Sequence, residues 1–211
     1  MTALSWDGSG QKLYEYGVDH GVLYLPDNSG IAWNGLTSVE EAFDATAAQP
    51  LYFDGVKFNQ IVMTSDFSGR MKAYTYPDEF LEIEGILAGN VEGIYITGQR
   101  PSSFGLSYRT KIGNDIIPAA GYKLHLIRNL NAMPVPRLYK TLAAEAEMLE
   151  FEWSLTAIPE DVPGFRPTAH LIFDSTKIDS DILQTVEDFL YGTVSTDPVM
   201  PTFRDLITAY P

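Results

Sequence analysis

The chain has 211 residues, 45% of them hydrophobic, with 14 Lys+Arg against 28 Asp+Glu and no cysteine. That is enough apolar material for one domain over residues 1–211, and the formal net charge of −14 repels polyanions, which argues against nucleic-acid affinity. Without cysteine, disulfides, thiolate metal sites and a Cys nucleophile are excluded.

No apolar run approaches the roughly 20 residues that span a bilayer, so membrane insertion is not expected. The opening MTALSWDGSGQKLYEYG lacks a basic region followed by an apolar stretch, and no secretory signal is expected either. The charge is uneven. Residues 141–211 hold 13 acids and 3 bases, whereas residues 1–140 hold 15 and 11.

In chain order, IAWNGLTSVEE (31–41) predicts a strand with a local irregularity at its glycine. LYFDGVKF (51–58) predicts a hairpin, because Asp54-Gly55 suits the positive φ angles of a tight primed turn. GRMKAYTY (69–76) predicts a strand, and PDEFLEIEG (77–85) a short helix with proline at its start and acids in its first turn. Further strands are expected at 93–97, 104–112, 121–130, 149–158 and 167–175, with GNDIIPAA (113–120) joining two of them.

Near the end, DSDILQTVEDFLYG carries Ile182, Leu183, Val186, Phe189 and Leu190 at helical spacing. It predicts a helix over 179–191, capped by Asp179 or Ser180 and ended by Gly192. A second helix is expected over 202–210, while TLAAEAEML (141–149) has helical propensity directly before a strand and is left open. The sum is an α+β domain, mainly β.

Chemistry is sparse. His20, His125 and His170 stand far apart in sequence, and none has metal-ligand spacing. His125 and His170 lie in predicted strands, where a hydrogen-bonded structural histidine is the more frequent case. His20 reads as a turn residue after Asp19. There is no GxSxG, P-loop or GxGxxG.

DSTKIDSD (174–181) lacks the central glycine and distal glutamate of a calcium loop, and helix capping accounts for Asp179 and Ser180. Glu150 and Glu152 are a carboxylate pair such as a glycosidase uses, but solvated strand faces show the same pattern. Trp6, Tyr14, Tyr16, Tyr24, Trp33, Tyr52, Tyr74 and Tyr76 are expected mostly in the core, since sheets are rich in such residues. Neither an enzyme nor a cofactor or metal site is expected.

Several stretches together carry a family likeness. They are LSWDGSG (4–10) with YEYGVDHGVLY (14–24), then AWNGLTSVEE (32–41) and YTYPDEF (74–80). FGLSYRTKIGND (104–115), YKLHLI (122–127), FEWSLTAIPEDVPGFRPTAHLIFDST (151–176) and DFLYGTVSTDPVMP (188–201) complete the set. In these residues and their order the chain resembles the major tail proteins, or tail-tube subunits, of long-tailed siphovirus-type bacteriophages, especially those of actinobacteria.

The resemblance implies a tail-tube fold, a β-sandwich or barrel flanked by a helix. Subunits would close into hexameric rings stacked as a hollow tube, their strands joining into a lumen-lining β-barrel that conducts DNA into the host without specific binding. It implies a virion tail protein assembled in the host cytoplasm, with no catalytic residues. Its partners would be other copies of itself, a tape measure protein, a tail terminator and distal tail or baseplate proteins.

If residues 149–158 line such a channel, Glu150 and Glu152 are candidate lumen-facing acids, since acidic walls give passing DNA nothing to grip. Glu40, Glu41 and Asp115 are the other candidates. Two other classes remain open. One is a carbohydrate- or receptor-binding β-module using surface Tyr and Trp. The other is a small glycosidase or calcium-dependent hydrolase.

Overall fold

The computed structural model describes residues 6–43, 49–61, 67–141 and 148–209, the side chains of 43, 49–51 and 59–61 excepted. Strands run in the order β1 (Tyr14–Tyr24), β2 (Gly30–Ala32), β3 (Leu36–Phe43), β4 (Gln49–Phe53), β5 (Val56–Ile61) and β6 (Phe67–Ala73). After the single-turn helix α1 (Phe80–Ile83) come β7 (Leu87–Ala88), β8 (Tyr95–Ile96), β9 (Phe104–Gly113), β10 (Gly121–Pro134), β11 (Phe151–Ala157) and β12 (His170–Asp174). Helices α2 (Ser180–Tyr191) and α3 (Phe203–Ala209) complete the described elements.

One sheet has the order β2-β1-β9-β10-β11-β6-β3, with β12 also paired to β10. Strand β10 is long enough to pair β9 along one side while β12 and β11 share its other side. The sheet curls until Leu36 at the start of β3 packs close to Gly21 of β1, yet its hydrogen-bonded order ends at β2 and β3. It is therefore an open sheet, not a closed barrel.

Both faces of β10 are covered. His125 and Ile127 point into the curl, with Leu23, Met71, Phe80, Leu106, Tyr108, Trp153 and Leu155. Leu124 and Leu126 point the other way, against Val186, Leu190, Phe203 and Leu206 of the two C-terminal helices. A strand buried on both sides cannot slip by one residue without exchanging its two sets of side chains. After Ile127 a bulge, with Asn129 at φ 53°, restores Leu130 and Ala132 to the inner face.

The bulge also frees Arg128 to act as a clamp. It donates to Glu160 at 2.9 Å and to the carbonyls of Met200 and Pro201, each at 2.9 Å. Glu160 in turn accepts from the Phe203 N–H at 2.6 Å, satisfying a donor at the start of α3. Thr202 and Asp205 add a reciprocal cap there.

Several expectations hold in kind and shift in extent. The segment 31–41 divides into β2 and β3 around a turn at Gly35, whose φ is 84°. Asp54 and Gly55 make the hairpin turn with φ 48° and 76°. Helix 77–85 contracts to Phe80–Ile83, 93–97 to a two-residue strand, and α3 starts one residue later than expected. Asp179 caps α2 by accepting from the Asp181 N–H at 2.9 Å, and Gly192 ends it at φ 73°. Most of 141–149, and of the loop 42–50, lies outside the described residues.

Three expectations need correcting. Residues 14–24 form the eleven-residue β1, and His20 is a bulge residue within it at φ 51°. Phe189 is 53% exposed, not part of the buried stripe of α2. Among the eight aromatic residues assigned mostly to the core, Tyr24 and Trp33 are buried, but Trp6, Tyr14, Tyr16, Tyr52 and Tyr74 are exposed.

Behind α1, the Glu84 carboxylate is 2% exposed and pairs with Arg137 at 2.5 Å, while the buried Trp153 indole N–H donates to the same oxygen. Replacing Glu84 by alanine leaves that guanidinium and indole without their acceptor and should cost about 2–4 kcal/mol. Chemical denaturation of Glu84→Ala beside the parent chain measures it.

Candidate functional site

The five candidate acids separate by strand parity. Strands β3, β6 and β11 lie side by side with Glu41, Met71, Trp153 and Leu155 turned inward. Their outward face carries Glu40, Arg70, Lys72 and Glu152, with Glu150 just before β11. Lys72 lies 3.7 Å from Glu150 and 3.6 Å from Glu152, and Arg70 lies 3.4 Å from Glu152. Thr37 also donates to Glu150 at 2.8 Å.

The acids at 40, 150 and 152 thus share an uncovered face with two cations. Each exposed pair contributes only about 0–1 kcal/mol to stability, but together they remove most of the face's negative charge. The acidic wall expected from the glutamates alone becomes a mixed surface.

The other two candidates are engaged elsewhere. Asp115, at the β9–β10 turn, accepts from the Gly10 N–H at 2.9 Å and holds the N-terminal segment. Glu41 lies one residue from Glu40 and therefore on the opposite side of β3, facing the interior.

Glu41 meets both inward-facing histidines. Its Oε1 lies 2.9 Å from His125 Nδ1, its Oε2 is 3.8 Å from His170 Nδ1, and the Tyr108 hydroxyl donates to Oε1. His125 Nδ1 also lies 3.1 Å from His170 Nε2, and His125 Nε2 lies 3.1 Å from the Thr110 hydroxyl. Register explains the meeting: His125 pairs with Tyr108 across β9–β10, and Ile127, two residues on, pairs with His170 across β10–β12. The rings of Tyr108 and His125 stack at 4.7 Å and 8°, and His170 follows at 5.3 Å and 22°.

The environment sets the protonation states. Burial works to raise the Glu41 carboxyl, but hydrogen bonds from His125 and Tyr108 hold it down at about 2. Burial pushes the His170 imidazole down to about 4, against the pull of Glu41. Burial and then the bond to Glu41 drive the Tyr108 hydroxyl far above the usual phenol range. At neutral pH the cluster holds an ionised carboxylate beside a neutral His170.

No spacing signal marks this cluster, because its members lie 84 and 45 residues apart in the chain. The detectable hint was a polar His125 alternating with Leu124 and Leu126 in a strand apolar on both sides. His20 stays outside it, near the surface, 3.0 Å from Asp19 and beside Arg109.

A cleft of about 520 Å³ opens next to His20, between β1, β2 and the end of α2. Trp33, Asn34, Leu190, Tyr191 and Pro198 contribute to its lining, and the buried Tyr191 hydroxyl has no hydrogen-bond partner among the described residues. Among the described residues no helix is long and apolar enough to cross a membrane.

No protein-family model and no curated protein matches the chain. A chain of the cryo-EM structure of the anti-feeding prophage baseplate, six-fold symmetrised, is similar at 10% identity and TM-score 0.35. The likeness spans 81% of this chain and 97% of that one. A likeness of that size says nothing about function.

If the outward charges pair as their distances indicate, Lys72→Glu should repel Glu150 and Glu152. A loss of about 1 kcal/mol or less is expected in low-salt denaturation, shrinking at high salt as screening takes over.

Proposed function

We propose that this chain is a structural subunit, the major tail protein of a siphovirus-type bacteriophage, whose hexameric rings stack into a tube that conducts DNA. The observation that carries the reading is the exposed apolar hairpin β4–β5. It forms a two-stranded sheet of its own, with Tyr52, Phe53, Val56 and Phe58 at 65–78% exposure. An isolated hairpin is marginal in water, and apolar surface concentrated on one marks a protein contact.

The terminal strand β3 of the large sheet supports the same reading. At the other end the Gly30 N–H of β2 is already taken by the Pro198 carbonyl, so the edge of β3 is the one that suits pairing with a second copy, and a rotated head-to-tail contact closes a ring. The net charge of −14 keeps free subunits apart until edges dock at short range. The outward β3-β6-β11 face, with three acids against two cations, is the surface proposed to line the channel. Its cations are tied to neighbouring glutamates, leaving DNA phosphates little to hold. The remaining proposed partners are a tape measure protein, a tail terminator and distal tail or baseplate proteins, in a virion assembled in the host cytoplasm.

A second reading rests on the 520 Å³ cleft, a size suited to a small ligand. A carbohydrate- or receptor-binding module would use Trp33, Asn34 and Tyr191 there.

Concentrated or seeded protein should form rings or hollow tubes in negative-stain microscopy. Phe53→Ser with Phe58→Ser should abolish them while circular dichroism and thermal melting of the subunit stay near the parent's. Persistent monomers under seeding, together with saturable glycan binding lost in Trp33→Ala, would instead favour the binding module.

Replacing Glu150 and Glu152 by glutamine unmasks Lys72 and Arg70. Tubes should still assemble, but particles carrying them should deliver their genome more slowly. Unchanged delivery kinetics would remove the channel role of that face.

A further inference from the structure

The cluster of Glu41, His125 and His170 serves no purpose in the proposed assembly, and its geometry goes beyond packing. We propose that it is a binding site for one divalent transition-metal ion of the zinc class. Its ligands are the Glu41 carboxylate and one ring nitrogen each from His125 and His170, and it pins strand β3 to β10 and β12.

Three observations support the site. One ligand atom from each residue can be chosen so that all lie within 4.8 Å of one another. Around His125 Nδ1, the separations of 2.9 Å to Glu41 Oε1 and 3.1 Å to His170 Nε2 lie near the edge of a zinc tetrahedron, which is about 3.3 Å for bonds of about 2.0–2.1 Å. The 3.8 Å approach of Glu41 Oε2 is to the other ring nitrogen of His170. Small side-chain adjustments therefore suffice.

The second observation is convergence. His125 Nδ1 faces both Glu41 Oε1 and His170 Nε2, so two acceptors compete for whatever occupies the space beside one nitrogen. A single shared hydrogen serves that position with one divided bond. A divalent cation serves it with three. Imidazole and carboxylate together suit zinc, iron, cobalt and nickel.

The third is the surrounding support. Thr110 Oγ1 sits 3.1 Å from His125 Nε2, where with an ion on Nδ1 it would accept the far N–H. The Tyr108 hydroxyl is held on Glu41, close enough to orient the carboxylate or to supply a fourth oxygen. The His125 and His170 side chains are only 6% and 5% exposed, while Glu41 at 23% leaves an approach from solvent.

The consequence is mechanical. Strand β3 ends the sheet order, with β6 hydrogen-bonded beside it among the described residues, and β10 lies three strands away along the path. An ion held from both would join them across the curl. Metal binding therefore acts on the edge that the proposed assembly uses.

Protein stripped with EDTA and titrated with zinc chloride in a calorimeter should take up one ion per chain. Its melting temperature should rise by about 5 °C or more at a hundredfold excess over Kd. Cobalt(II) in place of zinc should give the intense visible absorption of a four- or five-coordinate site. Glu41→Gln and His170→Gln should weaken affinity by at least about tenfold, and His20→Gln should leave it unchanged.

Should those variants fail to fold, Thr110→Ala removes only the group behind His125 and should still weaken binding about 10–100-fold. Absence of zinc binding by the parent chain, or binding indifferent to Glu41, His170 and Thr110 alike, would overturn the site. Tube formation plays no part in this test, so its failure leaves the assembly reading untouched, and the reverse holds as well.

Discussion

Burial of β10 on both of its faces is the constraint from which the rest of the fold follows. Its inward side chains meet the curl of the sheet, and its outward leucines meet α2 and α3. Because the two sets alternate along one strand, the register with β9, β12 and β11 is fixed on both sides at once. The bulge at Arg128–Asn129 is the one place where parity changes, and Arg128 uses it to clamp the C-terminal segment through Glu160 and two carbonyls.

That same alternation explains what the sequence disclosed. A period of two puts Leu149, Phe151, Trp153 and Leu155 on one face of a strand; Leu149 precedes β11, and the other three share the inner face, because a period of two survives wherever one side is buried. Ile182, Leu183, Val186 and Leu190 likewise marked α2, and Asp54-Gly55 marked its turn. The strand at 14–24 escaped notice because two register shifts, at Gly17 and His20, break its period. The hairpin aromatics show a different limit: a residue suited to a sheet core is equally suited to a subunit contact, and propensity does not separate them.

The site was less legible still. Glu150 and Glu152 were correctly placed on the polar side of their strand, but the cations opposite them come from β6, which sequence order does not bring near. Glu40 and Glu41 looked equivalent as neighbours. Parity sends one to solvent and the other to two histidines supplied by β10 and β12. Only pairing information could have joined residues so far apart in the chain.

An open sheet, an exposed apolar hairpin and a strong negative charge carry the proposal that the molecule is completed by its own copies. Amide hydrogen exchange, measured on free subunits and after seeded assembly, tests that claim most directly. New protection should concentrate on β4–β5 and the outer edge of β3, while β9 and β10 stay unchanged. Equal exchange in those edges before and after assembly would contradict the account.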